Sequence, residues 1–121
     1  MVLGCGIDIC DNRRFNDISA GVLMRLFTPG ELAESVKLNP AQSLEFYASR
    51  FAAKEAFAKA LGTGFSGFSP LDLEVRCNSQ GRPFFAFSPK VEDKVEGMSV
   101  FLSLSHEKEY SVAMVVLDGQ K

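Results

Sequence analysis

Tryptophan is absent from this 121-residue chain, histidine occurs only once, and neither sign of charge dominates. With a net charge of −2, the chain lacks the basic face that proteins use to bind nucleic acid. Its apolar runs fall short of the roughly 20 residues that cross a bilayer. The N-terminus also lacks the basic start and long apolar stretch of a signal peptide. We therefore expect a cytoplasmic protein that has neither nucleic acid nor a membrane as a partner.

The scarcity of cysteine and histidine excludes disulfide frameworks and most zinc sites. Cys5, Cys10 and Cys77 are odd in number and form no C-x-x-C pair, so reduced thiols are expected. Because His106 is the only histidine, a zinc site built on several histidines is excluded. Ser105 precedes it directly, but neighbouring strand residues point to opposite faces, which disfavours a serine-hydrolase pair.

The apolar content suffices for the core of one domain over residues 1–121, since it reaches 46% and includes eleven phenylalanines. Alternation and turn residues predict strands at 2–10, 71–77, 83–87, 99–105 and 110–117. N-cap residues followed by proline predict helices from 28 to about 39, from 40 to 61 and from 88 to 97, after two short helices or turns in 12–27. Hairpins and segregated helices of this kind define the α+β class.

Two carboxylates occupy unusual positions in this scheme. Asp8 shares a strand face with Gly4 and Gly6, so another group can approach it closely. Glu55 falls in an apolar arc of the long helix, where a lone charge needs a compensating partner. Each has an ordinary alternative: Asp8 as a cap for the turn after its strand, and Glu55 as an i,i+4 pair with Lys59. Together, however, two such carboxylates suit Mg²⁺, which adds water and substrate phosphates to one or two carboxylate ligands.

Lys59 and His106 are further candidates for contact with phosphate. Lys59 lies one helical turn beyond Glu55, and a lysine beside a metal is recurring equipment of phosphoryl transfer. The alternatives are a solvated lysine and a histidine that only forms a structural hydrogen bond. The run GTGFSG at 62–67 matches a dinucleotide-binding pattern, but it follows a helix and leads into a strand, which is the wrong order.

Six short motifs, in order along nearly the whole chain, resemble the holo-acyl-carrier-protein synthases, the small group of 4'-phosphopantetheinyl transferases. They are GIDI at 6–9, FTPGEL at 27–32, RFAAKEAFAKALGTG at 50–64, DLEV at 72–75, NSQGRP at 78–83 and SLSH at 103–106. The resemblance implies a small antiparallel sheet around a long central helix. It also implies a homotrimer that binds coenzyme A at each subunit interface, and a role in fatty acid biosynthesis.

The resemblance also assigns roles to individual residues. Asp8 and Glu55 would hold magnesium beside the pyrophosphate of coenzyme A, and Lys59 would neutralise charge that develops there. Arg14 would contact the acidic acyl carrier protein, although residues 10–13, CDNR, depart from the acidic-hydrophobic run expected at that point. The residues expected around the nucleotide are His106, Arg50, Gly81, Arg82 and Pro83.

The implied reaction transfers 4'-phosphopantetheine from coenzyme A to a serine of the apo-acyl carrier protein and releases adenosine 3',5'-bisphosphate. The sequence leaves two bases open for the serine proton, namely Glu55 and a metal-bound water. Two other functions also remain open: a magnesium-dependent nucleotide phosphohydrolase that uses the same carboxylates without a carrier, and a non-enzymatic interaction module in which Glu55 merely pairs with Lys59.

Overall fold

The computed structural model describes residues 1–120 and confirms the α+β class. Two short 3₁₀ turns, Asn12–Phe15 and Pro70–Asp72, supplement the regular elements. The elements are β1 (Val2–Asp11), α1 (Ala20–Leu26), α2 (Pro29–Ser35), α3 (Pro40–Leu61), β2 (Leu73–Cys77), β3 (Pro83–Phe87), α4 (Pro89–Lys94), β4 (Met98–His106) and β5 (Tyr110–Gly119). Among residues 1–120, none of the helices is both long enough and apolar enough to span a bilayer.

Two antiparallel sheets carry the strands. The larger has the order β1-β5-β4, so the first strand of the chain is hydrogen-bonded to the last. Its register pairs Asp8 with Ala113, and it pairs His106 with Ser111. The smaller sheet is the hairpin of β2 and β3. Asp8 on β1 and His106 on β4 therefore both lie on the side of the larger sheet that faces the central helix, α3.

Helix α3 begins and ends as its sequence predicts. Asn39 and Gln42 form a reciprocal capping box with Pro40 in the first turn, and Gly62 closes the helix with φ 80°. Its alanines from Ala48 to Ala60 are at most 7% exposed, so the sheet packs close to the helix axis. Because α3 is long, charged side chains near both of its ends reach the β-strands.

Phenylalanines fill the core between α3 and the remaining elements. Phe57 packs within about 6 Å, centroid to centroid, of three other rings in the β2–β3 region, in tilted and edge-on arrangements. A second group surrounds Phe15 and joins the 3₁₀ turn to α3. Eight of the eleven phenylalanines thus belong to the core or pack against it, and the core forms without tryptophan.

Four predicted boundaries are wrong by two residues or more. Helix α2 ends at Ser35 rather than near residue 39, because Leu38 closes a turn onto the Ser35 carbonyl and the Ser35 hydroxyl donates to the Leu32 carbonyl. The strand expected from residue 71 begins at Leu73, because Ser69 and Asp72 cap a 3₁₀ turn ahead of it. Helix α4 ends at Lys94 rather than at residue 97, because the chain leaves the helix at Val95 and turns through Gly97 with φ 78°. Strand β5 continues to Gly119 rather than ending at residue 117, because it stays paired with the start of β4. None of these shifts moves a residue predicted for the site.

The outer face of the larger sheet carries an apolar surface that no other part of residues 1–120 covers. Ile7 and Ile9 are 60% and 64% exposed, and Met114 and Phe101 extend the same surface across β5 and β4. The opposite face of β1, with its glycines, is the one that packs on α3. We call this exposed surface the outer sheet face.

Candidate active site

Asp8 projects from β1 toward α3 and is held by the lysine that the sequence predicts beside it. The Lys59 ammonium donates to the Asp8 carboxylate and to the Ile7 carbonyl, both at 3.0 Å. The Asp8 side chain is only 18% exposed. The turn after β1 is capped by Asp11, whose carboxylate accepts from the Arg13 amide, so the alternative capping role falls to Asp11 rather than Asp8.

Glu55 lies beside the same pair, one turn before Lys59. Burial, and then the nearby Asp8 carboxylate, raise the pKa of Glu55 above its ordinary value. Lys59 and Arg14 offset part of that rise. Because the Lys59 ammonium turns to Asp8, the simple helical Glu55–Lys59 pair is not what the structure forms. The sequence-predicted trio of Asp8, Glu55 and Lys59 therefore converges in one place.

The donor set fits a hard divalent cation that keeps open coordination positions. Burial, and then repulsion from the Asp8 carboxylate, raise the pKa of Glu55, and a cation between the two carboxylates would relieve that repulsion. Among residues 1–120, no group of three or more histidine, cysteine, aspartate or glutamate side chains could close a metal cage. Water and substrate oxygens would therefore supply the remaining ligands.

A cavity of about 390 Å³ collects most of the predicted nucleotide-binding residues at the other end of α3. Arg50, Gly81, Pro83 and His106 all line it. Arg82 does not, because it lines a neighbouring pocket on the outer sheet face together with Pro83. Four of the five residues predicted to surround the nucleotide therefore line this cavity, and Arg82 does not.

Arg50, His106, Glu45 and Cys77 are the charged or titratable side chains that line this cavity. Burial lowers the pKa of the Arg50 guanidinium, whose Nε is buried without a hydrogen-bond partner among residues 1–120. The guanidinium also stacks 4.2 Å from the centroid of the Phe46 ring. His106 Nε2 lies 3.0 Å from the carboxylate of Glu45. An anionic ligand would satisfy Arg50 and compete with Glu45 for His106.

Arg14 and its neighbour Arg13 differ in whether a carboxylate already pairs with the guanidinium. Arg13 forms two side-chain hydrogen bonds to Asp11 and lies 3.9 Å from Glu109. Arg14 instead stacks 4.8 Å from the centroid of the Phe51 ring, on the helix row that leads to Glu55. Arg14 is therefore the arginine of the two that has no carboxylate partner within 4.0 Å in the described part of the chain.

Sequence reasoning missed a buried ion pair next to the site. Lys54, the residue before Glu55, lies 2.6 Å from Glu31 of α2, and both side chains are at most 1% exposed. Glu31 also accepts from the Thr28 and Val75 amides at 3.0 and 2.8 Å. The capping box at residues 28–31 identifies Glu31 as a helix-capping residue. No local sequence pattern indicates that Glu31 also forms an ion pair with a lysine of α3.

A second missed residue is Asn12, which ties the end of β1 to the β4–β5 turn. Its amide donates to the carbonyls of Glu107 and Lys108, and its side-chain oxygen accepts from the Ser111 hydroxyl at 2.7 Å. Asn12 is 3% exposed. It lies within the segment 10–13, CDNR, which departs from the expected family pattern.

The fold and the paired carboxylates point to one class of protein. A sequence profile of the 4'-phosphopantetheinyl transferase superfamily matches residues 4–115, and the chain belongs to that superfamily. Within it, the relatives are holo-acyl-carrier-protein synthases. The protein of that name from Geobacillus kaustophilus is 41% identical over 98% of this chain and 90% of its own length.

Solved structures agree with the sequence comparison. The holo-acyl-carrier-protein synthase of Bacillus anthracis, in complex with coenzyme A (3',5'-ADP), superposes with a TM-score of 0.87 at 39% identity and 99% coverage of both chains. The synthase of Neisseria meningitidis gives a TM-score of 0.88 at 34% identity, over 98% of this chain and 99% of that one. The predicted family and the expected small sheet around a long central helix are both confirmed.

Proposed function

We propose that this chain transfers 4'-phosphopantetheine from coenzyme A to a serine of an apo-acyl carrier protein and releases adenosine 3',5'-bisphosphate. The observation that carries the proposal is the convergence of Asp8, Glu55 and Lys59, from two elements distant in the sequence. The names of the relatives and the coenzyme A complex of the Bacillus anthracis structure support the substrate pair.

Asp8 and Glu55 are the proposed magnesium ligands. When bound, the ion would act as a Lewis acid on the phosphate oxygens. Lys59 neutralises negative charge on the diphosphate, and its release from Asp8 frees both side chains for the substrate complex. The serine proton passes to a Glu55 carboxylate oxygen or to a water molecule beside it.

Arg50, Gly81, Pro83 and His106 are proposed to hold the nucleotide end of coenzyme A in their shared cavity. Arg50 supplies a charge that burial has already stripped of water, so an incoming phosphate meets little competition from solvent. His106 exchanges its Glu45 partner for the ligand. Arg82 reaches the nucleotide only from the adjacent pocket on the outer sheet face.

The two groups of residues suggest a site shared between copies of the chain. Arg50 precedes Glu55 by five residues, which on a helix is about 7.5 Å along the axis and roughly 140° around it. One coenzyme A molecule therefore meets both groups most directly when they come from different subunits. The outer sheet face offers the apolar area that such an assembly would bury, and we propose a homotrimer with active sites at its interfaces.

Arg14 is proposed as the contact for the acyl carrier protein, which is acidic. Its position beside Phe51 places the guanidinium within one helical turn of Glu55. Arg13 is a weaker candidate because Asp11 already holds its charge.

The reaction is tested by mass spectrometry of an apo-carrier protein incubated with this protein, coenzyme A and magnesium. We expect the carrier to gain one phosphopantetheine and the signal to fall at least 100-fold for Asp8→Asn and for Glu55→Gln. Glu34→Gln, which alters an exposed carboxylate paired with Lys37, is the matched control and should transfer normally. A carrier that gains no mass with the unaltered protein would reject the transferase and leave the phosphohydrolase and the interaction module.

The shared site is tested by mixing two inactive variants, Glu55→Gln and His106→Ala, and allowing their subunits to exchange. If Glu55 and His106 of different copies form each site, random mixing in a closed ring restores about a quarter of the sites. Recovery of no activity after verified subunit exchange would place the whole site within one chain.

A further inference from the structure

The strand that carries Asp8 touches the helix that carries Glu55 through backbone atoms. An ideal Cβ at Gly6 would overlap the carbonyl oxygen of Ala56 and lie 2.8 Å from the Ala60 nitrogen. A Cβ at Gly4 would likewise overlap the Ala60 carbonyl oxygen. Any side chain at either glycine would therefore push β1 away from α3.

These two glycines are required by space and not by backbone conformation. Positive φ angles occur at five other glycines, Gly62 among them, whereas Gly4 and Gly6 lie in ordinary extended strand. Alanine could adopt the backbone of β1 without strain, so the absence of a side chain serves the close approach alone.

The spacing of residues along β1 matches the spacing along α3 at this contact, and the matched steps lead to the two carboxylates. Two residues along a strand advance about 6.6 Å, and four residues along a helix advance about 6 Å. The steps from Gly4 to Gly6 and from Ala60 to Ala56 therefore match. One further step along β1 reaches Asp8, beside the turn of α3 that holds Glu55, and the 3.0 Å contact from Lys59 to Asp8 closes the arrangement.

We propose that Gly6 is a positioning residue: its missing side chain sets the gap between the Asp8 and Glu55 carboxylates and thereby suits the site to Mg²⁺ over larger cations. The inference rests on the metal assignment in the proposed function. Mg²⁺ holds oxygen ligands at about 2.0–2.1 Å and demands near-ideal geometry, whereas Ca²⁺ accepts about 2.3–2.6 Å and looser shells. A widened gap therefore penalises magnesium more than calcium.

The direct test is calorimetric titration of Gly6→Ala with Mg²⁺ and with Ca²⁺, in the presence of saturating coenzyme A. We expect magnesium affinity to fall at least tenfold and calcium affinity to fall less, so the preference for magnesium shrinks. Coenzyme A binding without metal should not change. Gly21→Ala is the matched control, since the nearest atom to its added Cβ would be the Ser19 hydroxyl oxygen at 4.0 Å.

Asp8→Glu tests the same gap without disturbing the backbone contact. If the spacing is fixed, the extra methylene crowds the ion, and magnesium affinity falls at least tenfold although the carboxylate remains. In Gly6→Ala/Asp8→Glu the longer side chain should recover part of that loss. Circular dichroism establishes which variants fold. If Gly6→Ala does not fold, the magnesium affinity of Asp8→Glu tests the inference instead.

The outcomes separate this inference from the proposed function. Magnesium binding by Asp8→Glu equal to that of the unaltered protein would overturn the role of Gly6, and so would an unchanged magnesium preference in folded Gly6→Ala. The unaltered protein failing to bind magnesium alongside coenzyme A would overturn the metal assignment itself.

Discussion

Replacing Lys54 with methionine should destabilise the protein severely. The ammonium lies 2.6 Å from Glu31 and 2.8 Å from the Leu26 carbonyl, and neither charged side chain is more than 1% exposed. Methionine fills a similar volume but leaves the Glu31 carboxylate buried, with the Thr28 and Val75 amides as its only remaining donors in the described chain. Removal of one partner from a buried ion pair costs about 3–5 kcal/mol.

The measurement is urea and thermal unfolding at one fixed protein concentration, because assembly shifts apparent stability. For a domain of this size the loss corresponds to a fall in Tm of roughly 10–20 °C. Lys37→Met, which removes an exposed i,i+3 partner of Glu34, is the control and should change stability by no more than about 0.5 kcal/mol. Glu31→Gln/Lys54→Met should regain at least about 1 kcal/mol over Lys54→Met, because the uncompensated charge is gone. A loss below about 1 kcal/mol for Lys54→Met would refute the reasoning.

Two further predictions concern the site. Since burial and Asp8 raise the folded-state pKa of Glu55, its ionisation opposes folding, and this part of the stability is lost as pH rises through the folded pKa. Metal-free Glu55→Gln should therefore be up to about 1 kcal/mol more stable than the unaltered protein at pH 8 and show no gain at pH 4, by urea unfolding; equal stability at both values would contradict it. Arg14→Ala should raise the KM for carrier protein several-fold at low salt and less at high salt, whereas Arg13→Ala should change it little; equal effects of the two variants would contradict the distinction.

Much of the fold was predictable because its signals are local. The capping boxes that begin with Thr28 and Asn39 and the αL glycine at Gly62 are chemical features of single segments, and each element they bound was predicted. The α2 end was wrong because Ser35 gains hydrogen bonds from outside its own helix, including one donated by the Tyr47 hydroxyl at 2.9 Å. No pattern within residues 28–39 records that contact.

The site divides in the same way. The convergence of Asp8 and Glu55 was predictable because each breaks the pattern of its own element, and the family resemblance joined them; their role as metal ligands stays a prediction. Glu31 and Lys54 could not be paired from sequence, since each has an ordinary local explanation and 22 residues separate them. Asn12 was equally hidden, because its partners lie on a turn nearly a hundred residues away.

The charges at the site explain how metal and diphosphate binding would depend on each other. In the protein alone, Lys59 supplies the positive charge that Asp8 needs, and Glu55 remains the less satisfied carboxylate, with its pKa raised. A magnesium ion that takes over Asp8 would release the lysine, and the released ammonium would then need the negative charge that the coenzyme A diphosphate brings. Each ligand thus creates the binding partner of the other, so under the proposed function their affinities rise together, and by linkage the enhancement is equal in both directions. Under the inference drawn for Gly6, its close contact with Ala56 would keep the two carboxylates near enough for this exchange to involve a single ion.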